Sequence, residues 1–202
     1  KCGFVTRGVK DLGLDNFPDG DGIAAALFLP EWSEYLGTTL LSPLVANTDY
    51  QLTFNIAAYF ESGSGEYTGK DISLLEPVNV TIYGCANGQN LPLNTTKSPN
   101  SADPTWIEIG NASYTPTSVW GELTLTFKTN FNVNAIMLGA PPVLPVSYTR
   151  TNGNPYFLFD NLLLNTSASF GVNISQQGLF CDSNLILKAE LTKTVSDKKT
   201  FQ

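Results

Sequence analysis

Tyr156-Phe157-Leu158-Phe159-Asp160-Asn161-Leu162-Leu163-Leu164 is an apolar run broken by one carboxylate. Aromatic residues favour extended backbone, so the run reads as a strand. Burying an unpaired charge in a sandwich core is costly. Asp160 therefore sits at an edge, binds a cation, or accepts several backbone donors. The stretch points to an all-β module with a structural ion site.

The rest of the chain repeats the strand signal. In residues 50–59, Tyr50, Leu52, Phe54, Ile56 and Ala58 share one face, and Gln51, Thr53, Asn55, Ala57 and Tyr59 the other. That is the period of a half-buried strand. Val78, Val80 and Ile82 alternate with Asn79, Thr81 and Tyr83; Leu123, Leu125 and Phe127 alternate with Glu122, Thr124, Thr126 and Lys128. Residues 23–29, 35–41 and 133–138 are short apolar runs that fit buried strands. Residues 61–70, 86–104 and 140–155 are rich in Gly, Ser, Asn or Pro and read as loops, the last two long enough to carry binding. No segment holds a helical period. About eight strands separated by turn signals predict a β-sandwich, with a jelly roll as its topology.

The chain has 202 residues, enough for one large sandwich and a further piece. Charged residues make up 14%, below the usual level of about 25%. Thr, Ser, Asn and Gly take the polar positions, a composition that suits extracellular β-proteins. The net charge of −7 argues against nucleic acid as a partner. The chain holds no His, which removes the Ser-His-Asp triad, the Cys-His dyad and His metal ligands. No apolar run reaches the roughly 18 residues of a membrane span. The opening Lys1-Cys2-Gly3 reads as a mature or truncated start.

Cys2, Cys85 and Cys181 are odd in number. They are either buried reduced thiols, or Cys2 pairs with Cys85 and Cys181 pairs beyond the chain. Residues 1–165 are expected to form the sandwich and 166–177 a polar linker. Residues 178–202 are expected to open a second, Ig-like β domain, or else to add a strand to the first.

Three segments together resemble galactose-binding-like jelly rolls. They are residues 34–54, with Pro43-Leu44-Val45-Ala46-Asn47 before Tyr50, Leu52 and Phe54; Trp120 to Phe127; and the closing Tyr156 to Leu164 strand. The resemblance covers roughly residues 16–165. It is closest to modules of large secreted surface proteins of gliding Bacteroidota, and more distant from carbohydrate-binding modules. It implies a jelly roll on a secreted or cell-surface protein, and a non-catalytic module for carbohydrate or another surface ligand. The alternative is a structural or adhesin domain that binds no sugar and meets other chains of a surface assembly. Asn47 stands where such domains carry Gly, and Asn tolerates the left-handed region. The acidic strand that usually opens the family is not found ahead of Lys1, so a partner strand completing the sandwich is one further expectation.

Asp160 matches a family position that ligates a structural calcium. Calcium takes six to eight oxygens, so Asp19 and Asp21 are its expected partners. The alternative is a carboxylate that accepts backbone hydrogen bonds. Sugar binding calls for flat aromatic surfaces with amides beside them. Trp32, Tyr59, Tyr67 and Tyr83 are the candidates, with Gln51, Asn55 and Asn79 on the same polar faces. Trp106 and Trp120 match structural positions of the family, so the resemblance implies that they lie in the core. No pair of carboxylates carries a glycosidase motif, so no catalytic residue is expected.

Overall fold

A computed structural model describes residues 17–19, 22–61, 72–88, 91, 93, 96–150, 153–167, 170–177 and 186–193. The chain divides into two compact units, 1–165 and 166–202. In the first, the strands are β1 (Ala24–Leu29), β2 (Trp32–Ser33), β3 (Tyr35–Leu44), β4 (Asp49–Glu61), β5 (Val78–Cys85), β6 (Ile107–Tyr114), β7 (Gly121–Lys128), β8 (Val133–Gly139) and β9 (Asn154–Thr166). A four-residue helix, α1 (Pro99–Ala102), precedes β6. In the second unit, β10 (Phe170–Gln177) and β11 (Ile186–Lys193) form an antiparallel pair, with Phe170 opposite Lys193 and Gln177 opposite Ile186. Phe170–Gln177, part of the segment expected as a linker, is strand β10 here.

The first unit is a jelly-roll sandwich. One sheet has the order β2-β1-β9-β4-β7 and the other β3-β8-β5-β6. From β2 onward the chain changes sheet at every connection except β5 to β6. That winding separates strands adjacent in sequence and pairs distant ones: β1 with β9 (Ala26 opposite Phe157) and β4 with β7 (Leu52 opposite Leu125).

The alternating sequences place the core. Tyr50, Leu52, Phe54, Ile56, Ala58 and Phe60 point inward from β4, as do Phe157 and Phe159 from β9 and Val78, Val80 and Ile82 from β5. Phe157 is its aromatic centre, stacked on Phe28 at 4.1 Å and facing Tyr114 at 6.0 Å and Tyr148 at 6.2 Å. At the β3–β4 turn Asn47 has φ 62°, so this Asn takes the left-handed conformation that its sequence position required.

The structure holds one strand that the sequence reading left unassigned and moves one expected ligand residue. Ile107–Tyr114 is a strand that no alternation announced, because Gly110 and a register shift opposite Ile82 and Tyr83 break its period. A Cβ at Gly110 would lie 2.8 Å from the Phe127 Cβ, so the two sheets approach closely only over glycine. Tyr83 is fully buried rather than on an open polar face, since Cys85, Met137 and Trp106 pack around it on the outer side of the four-stranded sheet. Cys85 is buried, is a free thiol among the described residues and donates to the Asn87 carbonyl at 3.2 Å. Cys2 and Cys181 lie outside the described residues.

Two outcomes follow from this packing. Phe157→Ala should lower stability by about 3–5 kcal/mol, read as a reduced urea midpoint at unchanged slope. Burial raises the hydroxyls of Tyr35, Tyr83 and Tyr148 well above the ordinary 10.0, and that of Tyr114 to about 12. Because the folded values lie above the unfolded one, the unfolded chain releases these protons first. Their contribution to stability is complete below pH 10.0 and is lost as pH rises through the folded values. An alkaline titration followed by tyrosinate absorbance should show these four of the eight tyrosines ionising only together with unfolding. Their ionisation ahead of any loss of circular dichroism would contradict this.

Candidate functional site

The outer faces of the two sheets differ. Trp106 packs on the four-stranded sheet and is 1% exposed. On the five-stranded sheet the outward residues include Gln51, Thr53, Asn55, Ala57 and Tyr59 of β4, Thr124 of β7 and Tyr156, Leu158 and Asp160 of β9. Their direction is forced by the pleat, since their neighbours Leu52, Phe54, Leu125, Phe157 and Phe159 fill the core.

A small apolar floor carries an aromatic group on this face. Ile23, Ala25, Ala57 and Leu158 are buried, and Phe17, Tyr59, Trp120 and Tyr156 pack against them while staying half-buried. Tyr59 and Tyr156 are stacked, with ring centroids 5.4 Å apart and planes at 16°. The Trp120 Nε1 donor is buried and has no acceptor among the described residues. Hydroxyls and amides occupy the same face. Gln51 Nε2 donates to Thr53 Oγ1 at 3.3 Å, Thr53 and Thr124 hydroxyls are 3.2 Å apart, and Asn161 Nδ2 donates to Asn55 Oδ1 at 3.3 Å. Asn161 reaches Asn55 from a left-handed backbone, φ 51°.

The expected ligand residues land in different places. Tyr59 belongs to the aromatic group. Trp32, 47% exposed, lies in edge strand β2 of the same sheet. It stands opposite Leu29, two residues along β1 from Leu27, which itself faces Tyr156. Tyr83 belongs to the covered sheet and drops out, and Asn79 is on that sheet too. Tyr67 lies outside the described residues. Trp120, expected in the core, packs on the outer face instead. Tyr156 was missed, although the opening nonapeptide contained its signal: with Phe157 and Phe159 inward, Tyr156 must share a face with Leu158 and Asp160.

Asp160 is 6% exposed. Its Oδ2 accepts the Asp19 N–H at 2.9 Å and its Oδ1 accepts the Asn161 N–H at 2.8 Å. Of the three roles open to this carboxylate, the geometry supports the acceptor of backbone donors. Calcium would need six to eight oxygens. Among the described residues no group of three or more Asp, Glu, Cys or His side chains is placed to hold a metal. These residues make a hydrogen-bond clamp that ties the Phe17–Asp19 segment to the sheet, and Asp21 lies outside the described residues.

No family model matches the chain, and no curated protein does. Among solved structures it is similar to a family 4 carbohydrate-binding module, at 15% identity and a TM-score of 0.41 over 74% of each chain. It is also similar to the CBM22-1 xylan-binding domain of Paenibacillus barcinonensis Xyn10C, at 13% identity and a TM-score of 0.42 over 82% of this chain and 80% of that one. A third is the N-terminal cellulose-binding domain of Cellulomonas fimi β-1,4-glucanase C, at 12% identity and a TM-score of 0.39 over 73% of this chain and 80% of that one.

Asp160→Asn removes one acceptor of a buried carboxylate and sets an amide N–H₂ against a part-buried backbone donor. The expected loss is about 1–3 kcal/mol of stability, the cost of an unsatisfied buried group. Urea unfolding with calcium and with a chelator checks it. The loss should be equal in both, whereas a calcium-dependent midpoint in the wild-type chain alone would mean that an ion also sits on Asp160.

Proposed function

We propose that this chain is a non-catalytic carbohydrate-binding module, carried by a secreted or cell-surface protein, that takes its glycan across the outer face of the five-stranded sheet. The observation that supports this is the joining of two chemistries on one open face. The Tyr59–Tyr156 stack and Trp120 present apolar rings for the C–H faces of a sugar. Gln51, Thr53, Asn55 and Thr124 present donors and acceptors for its hydroxyls.

The carboxylates of the face favour binding over hydrolysis. Glycosidases use two carboxyl groups, one protonated and one free. Among the described side chains of this face the carboxylates are Asp49, paired with Lys128 at the far end, Glu122, exposed on β7, and Asp160, whose two oxygens already hold backbone N–H groups. A surface dominated by hydroxyls and amides, with only 14% charged residues, suits an extracellular setting. No helix among the described residues is long and apolar enough to cross a membrane.

Isothermal titration against a panel of soluble polysaccharides and their oligosaccharides tests the reading. Tyr156→Ala and Trp120→Ala should each weaken binding by about tenfold or more, the effect of losing one aromatic platform. Lys128→Ala, at the far end of β7 in an exposed ion pair with Asp49, should change little. If the folded wild-type chain binds no glycan of the panel, the face is not a sugar site and the structural or adhesin role takes its place.

A further inference from the structure

A cavity of about 260 Å³ lies away from the aromatic group, where the β1–β2 turn, the segment around α1 and the loop after β8 meet. Pro30, Pro141 and Pro142 give it apolar walls, and Ser33, Ser98 and Ser101 put hydroxyls on it. It is smaller than the roughly 300–1,000 Å³ of sites for drug-sized ligands, and so suits a ring-sized molecule.

The walls are held before any ligand arrives. Ser33 N donates to Thr96 O at 3.0 Å, which joins β2 to the segment ahead of α1. The loop after β8 is fixed at both ends: the Tyr83 hydroxyl donates to Ala140 O at 2.9 Å, and the Tyr148 hydroxyl to Glu76 O at 3.0 Å. Glu76 and Ser147 exchange two more hydrogen bonds, Glu76 N to Ser147 Oγ at 3.0 Å and Ser147 N to Glu76 Oε2 at 3.2 Å. Little ordering entropy is left to be lost on binding.

The hydroxyls determine which ligand fits. Ser33 is buried, and its only O–H is already donated to Leu29 O at 2.8 Å. Its oxygen also accepts from the Tyr35 hydroxyl on the same lining, so what Ser33 has left is one lone pair, which a ligand fills only with a donor. Ser98, also buried, and Ser101 have their hydroxyls 2.7 Å apart. One donates to the other, so the pair retains one O–H and several lone pairs. A bare carboxylate has no donor for Ser33. Lys97, the only charged side chain on the lining among the described residues, is exposed, where a single ammonium holds an anion weakly. A sugar hydroxyl both donates and accepts, and the proline walls suit the apolar face of a pyranose.

We propose that this cavity is a second, independent site that takes one neutral sugar ring, the terminal residue of a glycan or a free monosaccharide. It does not require the sheet face to bind. Saturation-transfer NMR on the full chain tests it, with glucose, galactose, mannose, xylose and glucuronate as separate probes. At least one neutral sugar should receive saturation. Ser101→Tyr, which starts from an exposed position and fills the cavity, should weaken that binding by about tenfold or more. Ser33→Ala, which removes the acceptor, should weaken it as well. Ser101→Tyr should leave oligosaccharide binding at the sheet face intact, and Tyr156→Ala should do the reverse, so failure of either site is read separately. The proposal is overturned by folded wild-type chain that saturates no neutral sugar, or by binding that Ser101→Tyr leaves unchanged. Salt-sensitive binding of glucuronate alone would overturn it too, since that would make the cavity an anion site.

Discussion

The pleat of β9 is the constraint on which the rest depends. This strand lies in the middle of the five-stranded sheet, between β1 and β4, so each residue faces either the core or the open face. Phe157 and Phe159 go inward and hold the aromatic core with Phe28, Phe54, Tyr114 and Tyr148. Tyr156, Leu158 and Asp160 go outward and supply an aromatic ring, a piece of its apolar floor and a carboxylate clamp. A slip of one residue would exchange these sets, placing Asp160 in the core and two phenylalanines in water. Core and candidate site are therefore specified by the same five residues.

Coverage then separates the two sheets. Both carry aromatic side chains on their outer sides: Tyr83 on the four-stranded sheet, Tyr59 and Tyr156 on the five-stranded one. Trp106 and the partly buried Leu91 and Leu93 close the first, so Tyr83 spends its hydroxyl on the Ala140 carbonyl and acts as a strut. On the second, Tyr59 and Tyr156 stay half-buried among the described residues, beside hydroxyls and amides. An aromatic on the polar side of an alternating strand is thus structural or available according to a loop that is distant in sequence.

That dependence explains what could be read beforehand. The strands with unbroken alternation, β4, β5 and β7, and the class of fold were legible, because period and composition are local. Tyr59 was legible as an outward residue for the same reason. Tyr83 was not, because the cover supplied by Trp106 begins more than twenty positions later. Ile107–Tyr114 hid behind Gly110, whose presence reflects contact with Phe127 rather than any strand preference. Trp120 was assigned inward on a family position, yet it stands just ahead of Gly121, whose partner Ile56 points inward and leaves the neighbouring Ala57 and Trp120 outward. Phe170–Gln177 looked like a linker because its pairing partner, Ile186–Lys193, lies beyond the segment in question.

The indole nitrogens of Trp106 and Trp120 put a number on the difference in packing between the faces. Both are buried without an acceptor among the described residues. An unpartnered buried donor costs about 1–3 kcal/mol. Trp106 is 1% exposed; burying a ring of some 150–250 Å² at about 25 cal/mol per Å² contributes roughly 4–6 kcal/mol, enough to offset the orphan donor. Trp120 is only half-buried, so it recovers a smaller share of that sum while carrying the same cost. A packing role accounts for Trp106 in full. It accounts less well for Trp120, whose energetics improve when a further apolar surface arrives on the exposed part of its ring, as the C–H face of a sugar would.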